Sequence, residues 1–174
     1  YRSIAHSLST TEVDEEHERV SIGGPDCKQP YSASRLNISA LSFGSLSSTA
    51  IAALNRGAAL GNFAHNTGEG SISQHHLEHG GDIIWQIGTG YFGCRNPDGT
   101  FNDDAFQERA SLDTVKMIEI KLSQGAKPSH GGVLPGIKVT EEISKIRLVQ
   151  IGETVLSPPT HPEFNCPEGL LKFV

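Results

Sequence analysis

Two lysines six residues apart, Lys121 and Lys127, frame the most chemically suggestive stretch of this 174-residue sequence, "IEIKLSQGAKPSHGGVLPG" (118–136). The first closes a segment, 115–122, whose alternation reads as a strand. The second lies in a loop rich in glycine. Lysines build no core, so the pair reads either as two solvated loop charges or as a seat for something anionic. Glu69, in the glycine loop "NTGEG" (66–70), is either a loop carboxylate or a group facing a ligand. Arg147, on a capped helix, is by default a solvated charge. His130 stands beside Gly131 and Gly132; an imidazole titrating near neutrality acts there as acid or base, or is simply a loop residue.

Other patterns are weaker. "GTGYFG" (88–93) matches GxGxxG after a strand, but a dinucleotide site needs a helix to open there, and "CRNPDG" is a turn instead. His75 and His79 in "HHLEH" are spaced i, i+4, yet two ligands make no zinc site, and the cluster reads as surface histidines. Cys94 and Cys166 lack any local signature of a nucleophile, and Cys94 reads as small and semi-buried. The sequence therefore supplies no metal site.

These groups need elements to hold them. "RLNISAL" (35–41) has strand character. A serine precedes "STAIAALNRGAALG" (48–61), where Ala50, Ala53, Leu54 and Ala58 recur at helical spacing and Gly61 supplies a stop. "NFAHNTGEG" (62–70) is a short strand entering a glycine loop, "SQHHLEHGG" (73–81) a turn or two of helix, and "DIIWQIGTG" (82–90) a third strand. "NDDAFQERASL" (102–112) reads as a helix with an Asn cap and an acidic first turn. The strand 115–122 follows, then the lysine loop, a capped helix at "TEEISKIRL" (140–148), a fifth strand at "TVLSPP" (154–159), and a helix beginning in "CPEGLLKFV" (166–174). Strands alternating with helices predict an α/β fold with a parallel sheet, and polar, glycine-rich segments after five strands suit a shared site on a barrel rim. A whole (β/α)8 barrel takes about 250 residues, so a partial TIM barrel of about five βα units is expected over 31–174. The polar residues 1–30, ending in "GGPDCKQP", read as an N-terminal extension.

A net charge of −6 and a pI near 5.7, with no basic stripe, argue against a nucleic-acid partner. The acidic run "EVDEEHER" (12–19) reads as a solvated face or arm. Three widely spaced cysteines form no disulfide framework and suit a reducing, cytoplasmic setting. The start "YRSIAHSLST" lacks a signal-peptide core, no segment has the length of a membrane span, and a chain running from a tyrosine to an apparent mid-helix reads as a fragment.

"SALSFGS" (39–45), "NTGEG" (66–70), "QIGTGYFG" (86–93), "KLSQGAKPSHGGVLPG" (121–136) and "LSPPTH" (156–161) come in the order found in the FMN-binding barrel of glutamate synthases, and the chain resembles that family over residues 20–174. The resemblance implies an FMN-dependent oxidoreductase that reduces 2-iminoglutarate, formed from 2-oxoglutarate and ammonia, to L-glutamate. It places Ser39, Ala40, Leu41, Ser42, Asn66, Thr67, Gln86 and Lys121 against the flavin, with Lys121 and Glu69 catalytic. Glu69, Lys127 and Arg147 would hold the oxoacid. An electron donor, protein or reduced nicotinamide, is also implied but not specified. So is a 3Fe–4S cluster, although Cys27, Cys94 and Cys166 do not form its cysteine cluster. Four positions depart from the family pattern. Ser129 and His130 give "GAKPSHGG" in place of the usual "GAKPGEGG", Val133 replaces a glutamine, and Ser71 replaces a glycine. No glutaminase nucleophile is present. A non-catalytic flavin- or partner-binding module is the alternative reading.

Overall fold

The computed structural model describes residues 8, 9, 12, 19–127 and 129–174, so most of the acidic run falls outside the described residues. The chain divides into two units, Tyr1–Arg35 and Leu36–Val174. In the first, strands β1 (Arg19–Ile22) and β2 (Tyr31–Ser34) form an antiparallel hairpin, with Arg19 opposite Ser34 and Ile22 opposite Tyr31. The Arg19 guanidinium donates to the Ser32 carbonyl and hydroxyl across this pair. Residues 31–34, read from sequence as the start of the barrel, thus pair with β1, and the unit boundary follows Arg35.

The second unit is built on a parallel sheet ordered β3 (His65–Asn66), β4 (Ile83–Ile87), β5 (Val115–Ile120). Ile38 adds a parallel bridge to His65 on the outer side of β3. The expected strand 35–41 is thus reduced to one bridge, although Leu41 still donates to the Asn66 carbonyl at 3.3 Å. Four chain segments in sequential order lie side by side, and the sheet does not close on itself among the described residues.

The fifth expected strand needs correction. β7 (Val155–Leu156) pairs antiparallel with β6 (Val133–Leu134), inside the lysine loop, and not with the parallel sheet. Pro158 and Pro159 lack the N–H groups that would extend a ladder. Gly131 and Gly132 meanwhile let the loop backbone approach Ser157, whose amide donates to the Gly132 carbonyl at 2.9 Å. Among the described residues the parallel wall therefore has four positions, not five.

Helix α1 (Ser48–Gly61) starts where the Ser47 hydroxyl accepts from the Ala50 amide and ends on Asn62 in the left-handed conformation. Its buried residues are Ile51, Asn55 and Ala58. Of the four residues picked out by spacing, only Ala58 is buried, because Asn55 takes the inner face for a polar reason. Its Oδ1 accepts from His79 N at 3.0 Å and Gly81 N at 3.4 Å, clamping the turn after the short helix α2 (Gln74–Leu77). Helix α3 (Asp103–Ala110) is capped by Asn102 and helix α4 (Glu141–Arg147) by Thr140, as their sequences predict; α5 (Pro167–Phe173) closes the chain.

Alternation along β4 sends Ile83, Trp85 and Ile87 into one apolar cluster with Ile72, Tyr91 and Cys94, and Trp85 stacks on Phe106 of α3. Cys94 is fully buried there, not semi-buried. A second cluster joins Phe43, Ile51, Phe92, Leu134, Val139, Ile143 and Val155, fixing α1, α4 and the β6–β7 ribbon together. Among the described residues, no helix is long and apolar enough to cross a membrane.

Candidate active site

Parallel strands bring their C-terminal ends together, and the loops leaving β3, β4 and β5 supply the polar groups that converge there. Glu69 stands at the centre. The Lys121 ammonium lies 3.2 Å from Glu69 Oε2, while Gln124 Nε2 donates to both carboxylate oxygens, at 3.0 and 2.9 Å. Lys121 Nζ in turn donates to Gln124 Oε1 at 3.0 Å, closing a three-residue ring. Backbone bareness makes room for it. A Cβ at Gly88 would stand 2.8 Å from Glu69 Cβ, and one at Gly132 would overlap Glu69 Oε1.

A second polar group lies one strand position deeper. The β4–β5 register sets Gln86 opposite Glu119, and Glu119 Oε2 accepts from Gln86 Nε2 and, at 2.7 Å, from Asn66 Nδ2. Thr67, fully buried, donates to the Gly68 carbonyl at 2.8 Å and accepts from the Gln86 amide at 3.2 Å. Gln86 Oε1 is buried with no hydrogen-bond partner among the described residues. An unpaired buried acceptor is costly unless a donor from elsewhere completes it.

The third group surrounds Arg147, which ends α4 and is 5% exposed. The reading of it as a solvated charge is therefore overturned: Arg147 shares the buried face of α4 with Ile143, while Lys145 stays exposed. Its guanidinium donates to the Phe43 carbonyl at 3.0 Å and lies 5.2 Å from the centre of the Phe92 ring. Burial pulls its pKa down and the Glu69 charge opposes that pull. Among the described residues, no carboxylate forms a salt bridge with it. Together with Ser42, Ser45, Glu69, Val133 and Ser157 it lines a cavity of about 50 Å³. A buried cation that forms no salt bridge among the described residues, beside a cavity it shares with Glu69, has hydrogen-bonding capacity left for a carboxylate.

Of the residues singled out from sequence, Glu69 and Lys121 meet directly, Asn66 and Gln86 meet through Glu119, and Ser42 joins Arg147 at the cavity. Ser39 and Ala40 are exposed on the rim; the Leu41 carbonyl faces His76 Nε2 at 3.4 Å. Lys127 is exposed, and lines neither the cavity nor the cleft beside Lys121 formed by Thr89, Ser123, Gln124, His130 and Pro158. Reasoning from sequence missed Gln124 and Glu119. Period-two alternation places Glu119 on the same strand face as Lys121, and Gln124 lies three residues beyond it, so both signals were there to use.

Two fully buried histidines support the site from beneath. His65 and His76 have ring centres 5.2 Å apart, and burial lowers each pKa from 6.5 to about 4. The Ser73 amide donates to His76 Nδ1 at 3.1 Å, so Nε2 carries the hydrogen facing the Leu41 carbonyl. Both His65 nitrogens lack hydrogen-bond partners among the described residues. Because the folded pKa is depressed, the unfolded chain binds more protons between pH 6.5 and 4. Stability is thus flat from these groups above pH 6.5 and falls as pH drops towards 4, by about 2 kcal/mol for each histidine at pH 5. Urea midpoints at pH 7 and 5 check this: His65→Leu should shrink the difference without loss at pH 7. An undiminished difference would refute the assignment.

An α/β unit with cationic, carboxylate and amide side chains at the strand ends is the architecture of an enzyme site on a parallel sheet. A family profile described as a conserved region in glutamate synthase matches residues 3–174, and the chain belongs to that family. It is 43% identical over 155 residues to the glutamate synthase large subunit-like protein YerD of Bacillus subtilis, covering 88% of this chain and 29% of that protein. It is 36% identical over 135 residues to an archaeal-type glutamate synthase [NADPH] of a Thermotoga species, covering 78% and 24%. Against the archaeal glutamate synthase [NADPH] of Archaeoglobus fulgidus it is 37% identical over 128 residues, covering 73% and 22%. The chain spans less than a third of the length of these relatives.

Proposed function

We propose that this chain forms the flavin-ring side of an FMN-dependent oxidoreductase of glutamate synthase type, within a (β/α)8 barrel completed by residues outside it. The reaction is reduction of 2-iminoglutarate, made from 2-oxoglutarate and ammonia, to L-glutamate, in the cytoplasm. The observation that carries the reading is the convergence of Glu69, Lys121 and Gln124 at the strand ends beside a cavity lined by a buried Arg147 that forms no salt bridge among the described residues.

The residues present fit the group. Gln86 Oε1 is an orphaned buried acceptor suited to a ring N–H, Lys121 offers a cation, and the exposed 39–40 backbone leaves an open rim. Bound FMN supplies hydride transfer, and the phosphate-binding loops of such barrels usually follow later strands than these. Lys121 stabilises negative charge at the ring's polar edge, and Asn66 and Gln86 are oriented by Glu119. Arg147 holds a carboxylate of the oxoacid, and Lys127 reaches a second carboxylate from the loop. Glu69, held by Lys121 and Gln124, accepts a hydrogen bond from the substrate nitrogen. NADPH stands in the names of the archaeal relatives and is the donor class to try first.

The test is the visible absorption spectrum of the protein purified from its complete reading frame, with identification of any released flavin. One FMN per chain is expected, followed by glutamate formation from 2-oxoglutarate, ammonia and a reduced donor. No flavin after reconstitution would overturn the reading in favour of a non-catalytic binding module.

A further inference from the structure

The Lys121 backbone is held at both ends by different parts of the chain. Its amide donates to the Ile87 carbonyl at 2.8 Å, the last ladder bond between β4 and β5. Its carbonyl lies beyond β5 and accepts from His161 Nε2 at 2.9 Å. His161 is 5% exposed, and its Nδ1 lies 3.0 Å from the Tyr91 hydroxyl. A carbonyl only accepts, so Nε2 carries the hydrogen, and in the neutral ring Nδ1 accepts from Tyr91. Burial pushes the Tyr91 hydroxyl up to about 12, so it stays a donor. Phe164 packs face to face on the ring at 4.6 Å between centres, while the two hydrogen bonds set the ring's orientation.

The same segment grips the neighbouring strand. Thr89, just past β4, donates to the Pro158 carbonyl at 2.6 Å, and Ser157 is bonded to Gly132. Residues 157–161 therefore tie together the exits of β4 and β5 and the far limb of the lysine loop. Nothing in the chemistry proposed above needs His161 to touch substrate or flavin. Its two hydrogen bonds are spent on a tyrosine and on the main chain of Lys121.

We propose that His161 is a positioning residue for Lys121: through the Nε2–carbonyl bond, with its tautomer set by Tyr91, it fixes where the Lys121 ammonium sits relative to Glu69 and Gln124. The functional consequence rests on the flavin reading; the geometric one does not.

The experiment uses the full-length protein with His161→Phe, which keeps the stack on Phe164 but loses both hydrogen bonds, and His161→Gln, whose amide restores a donor. Phe164→Leu serves as the control that loosens packing and leaves His161 in place. Two readouts are taken. Reductive methylation of Lys121 in the flavin-free protein, followed by mass spectrometry, reports the ammonium directly. The flavin midpoint potential and the kcat against KM split report its effect on the loaded protein. His161→Phe is expected to raise Lys121 modification several-fold, move the potential negative and lower kcat about tenfold with KM little changed, a loss of about 1.4 kcal/mol in barrier terms. His161→Gln should recover much of each, and Phe164→Leu should lower the melting temperature without moving them.

Unchanged Lys121 modification in His161→Phe would overturn the proposal, as would an equal change in Phe164→Leu. If the wild-type protein carries no flavin, the functional reading fails, while the methylation result still decides the proposal. If His161→Phe does not fold, Tyr91→Phe, which removes the bond that sets the His161 tautomer, is expected to raise Lys121 modification, and no rise there overturns the proposal.

Discussion

Replacing Lys121 with alanine in the full-length protein is expected to lower turnover with 2-oxoglutarate and ammonia by roughly 10²–10³-fold, the range for loss of one preorganised electrostatic group. Two effects add. The proposed charge stabilisation at the flavin is lost, and among the described residues Glu69 keeps Gln124 as its hydrogen-bond partner and the more distant Arg147 charge, with its side chain 18% exposed. The second effect is separable, because Glu69→Gln in the Lys121→Ala background removes the unpaired carboxylate. The double variant should regain thermal stability relative to Lys121→Ala and regain no turnover. The measurement is steady-state kcat and KM for wild type, both single variants and the pair, with melting temperatures alongside. Wild-type turnover in Lys121→Ala would sink the role given to this lysine, whatever its effect on stability.

Much of this arrangement was legible because it is local. Asn102 and Thr140 cap helices where their sequences say they should, and β4 alternates apolar residues on the face that packs against α3. Glycine loops after strands correctly pointed to one end of the sheet. Illegible features were those decided by contacts between distant segments. "TVLSPP" has the composition of a strand, but its partner was set by Gly131 and Gly132, which offered a closer backbone than the parallel sheet did. Arg147 looks solvated on a helical wheel, and its burial follows from where α4 packs against Phe43 and Phe92. Asn55 held a core position that spacing assigned to alanines, since its amide satisfies backbone groups 24 and 26 residues away. In each instance propensity was outweighed by tertiary pairing. His161 belongs to the same class. The motif "LSPPTH" marks it, but only the fold reveals that it reaches the carbonyl of Lys121.

Two glycines of the lysine loop should respond in opposite ways to the same added methyl group. Gly125→Ala is expected to be neutral or stabilising by about 0.4–1 kcal/mol, through the unfolded chain's lost freedom. Among the described residues nothing lies within 4 Å of a Cβ built there, and its φ is not in the left-handed region. Gly131→Ala is expected to cost about 1–3 kcal/mol, the usual range for overpacking. A Cβ at Gly131 would run into the Ser157 carbonyl and stand 3.1 Å from the Pro158 oxygen. Those are main-chain atoms held by the Ser157–Gly132 and Thr89–Pro158 bonds, so no side chain can swing aside to relieve the contact. The strain must push residues 157–161 outward, and His161 moves with them. Gly131→Ala should therefore raise the chemical reactivity of Lys121 as well as lower the urea midpoint, while Gly125→Ala does neither. Equal midpoints for the two variants would mean that the ribbon of β6 and β7 is not held against the strand exits, and that the position of Lys121 is set by its ion pair with Glu69 alone.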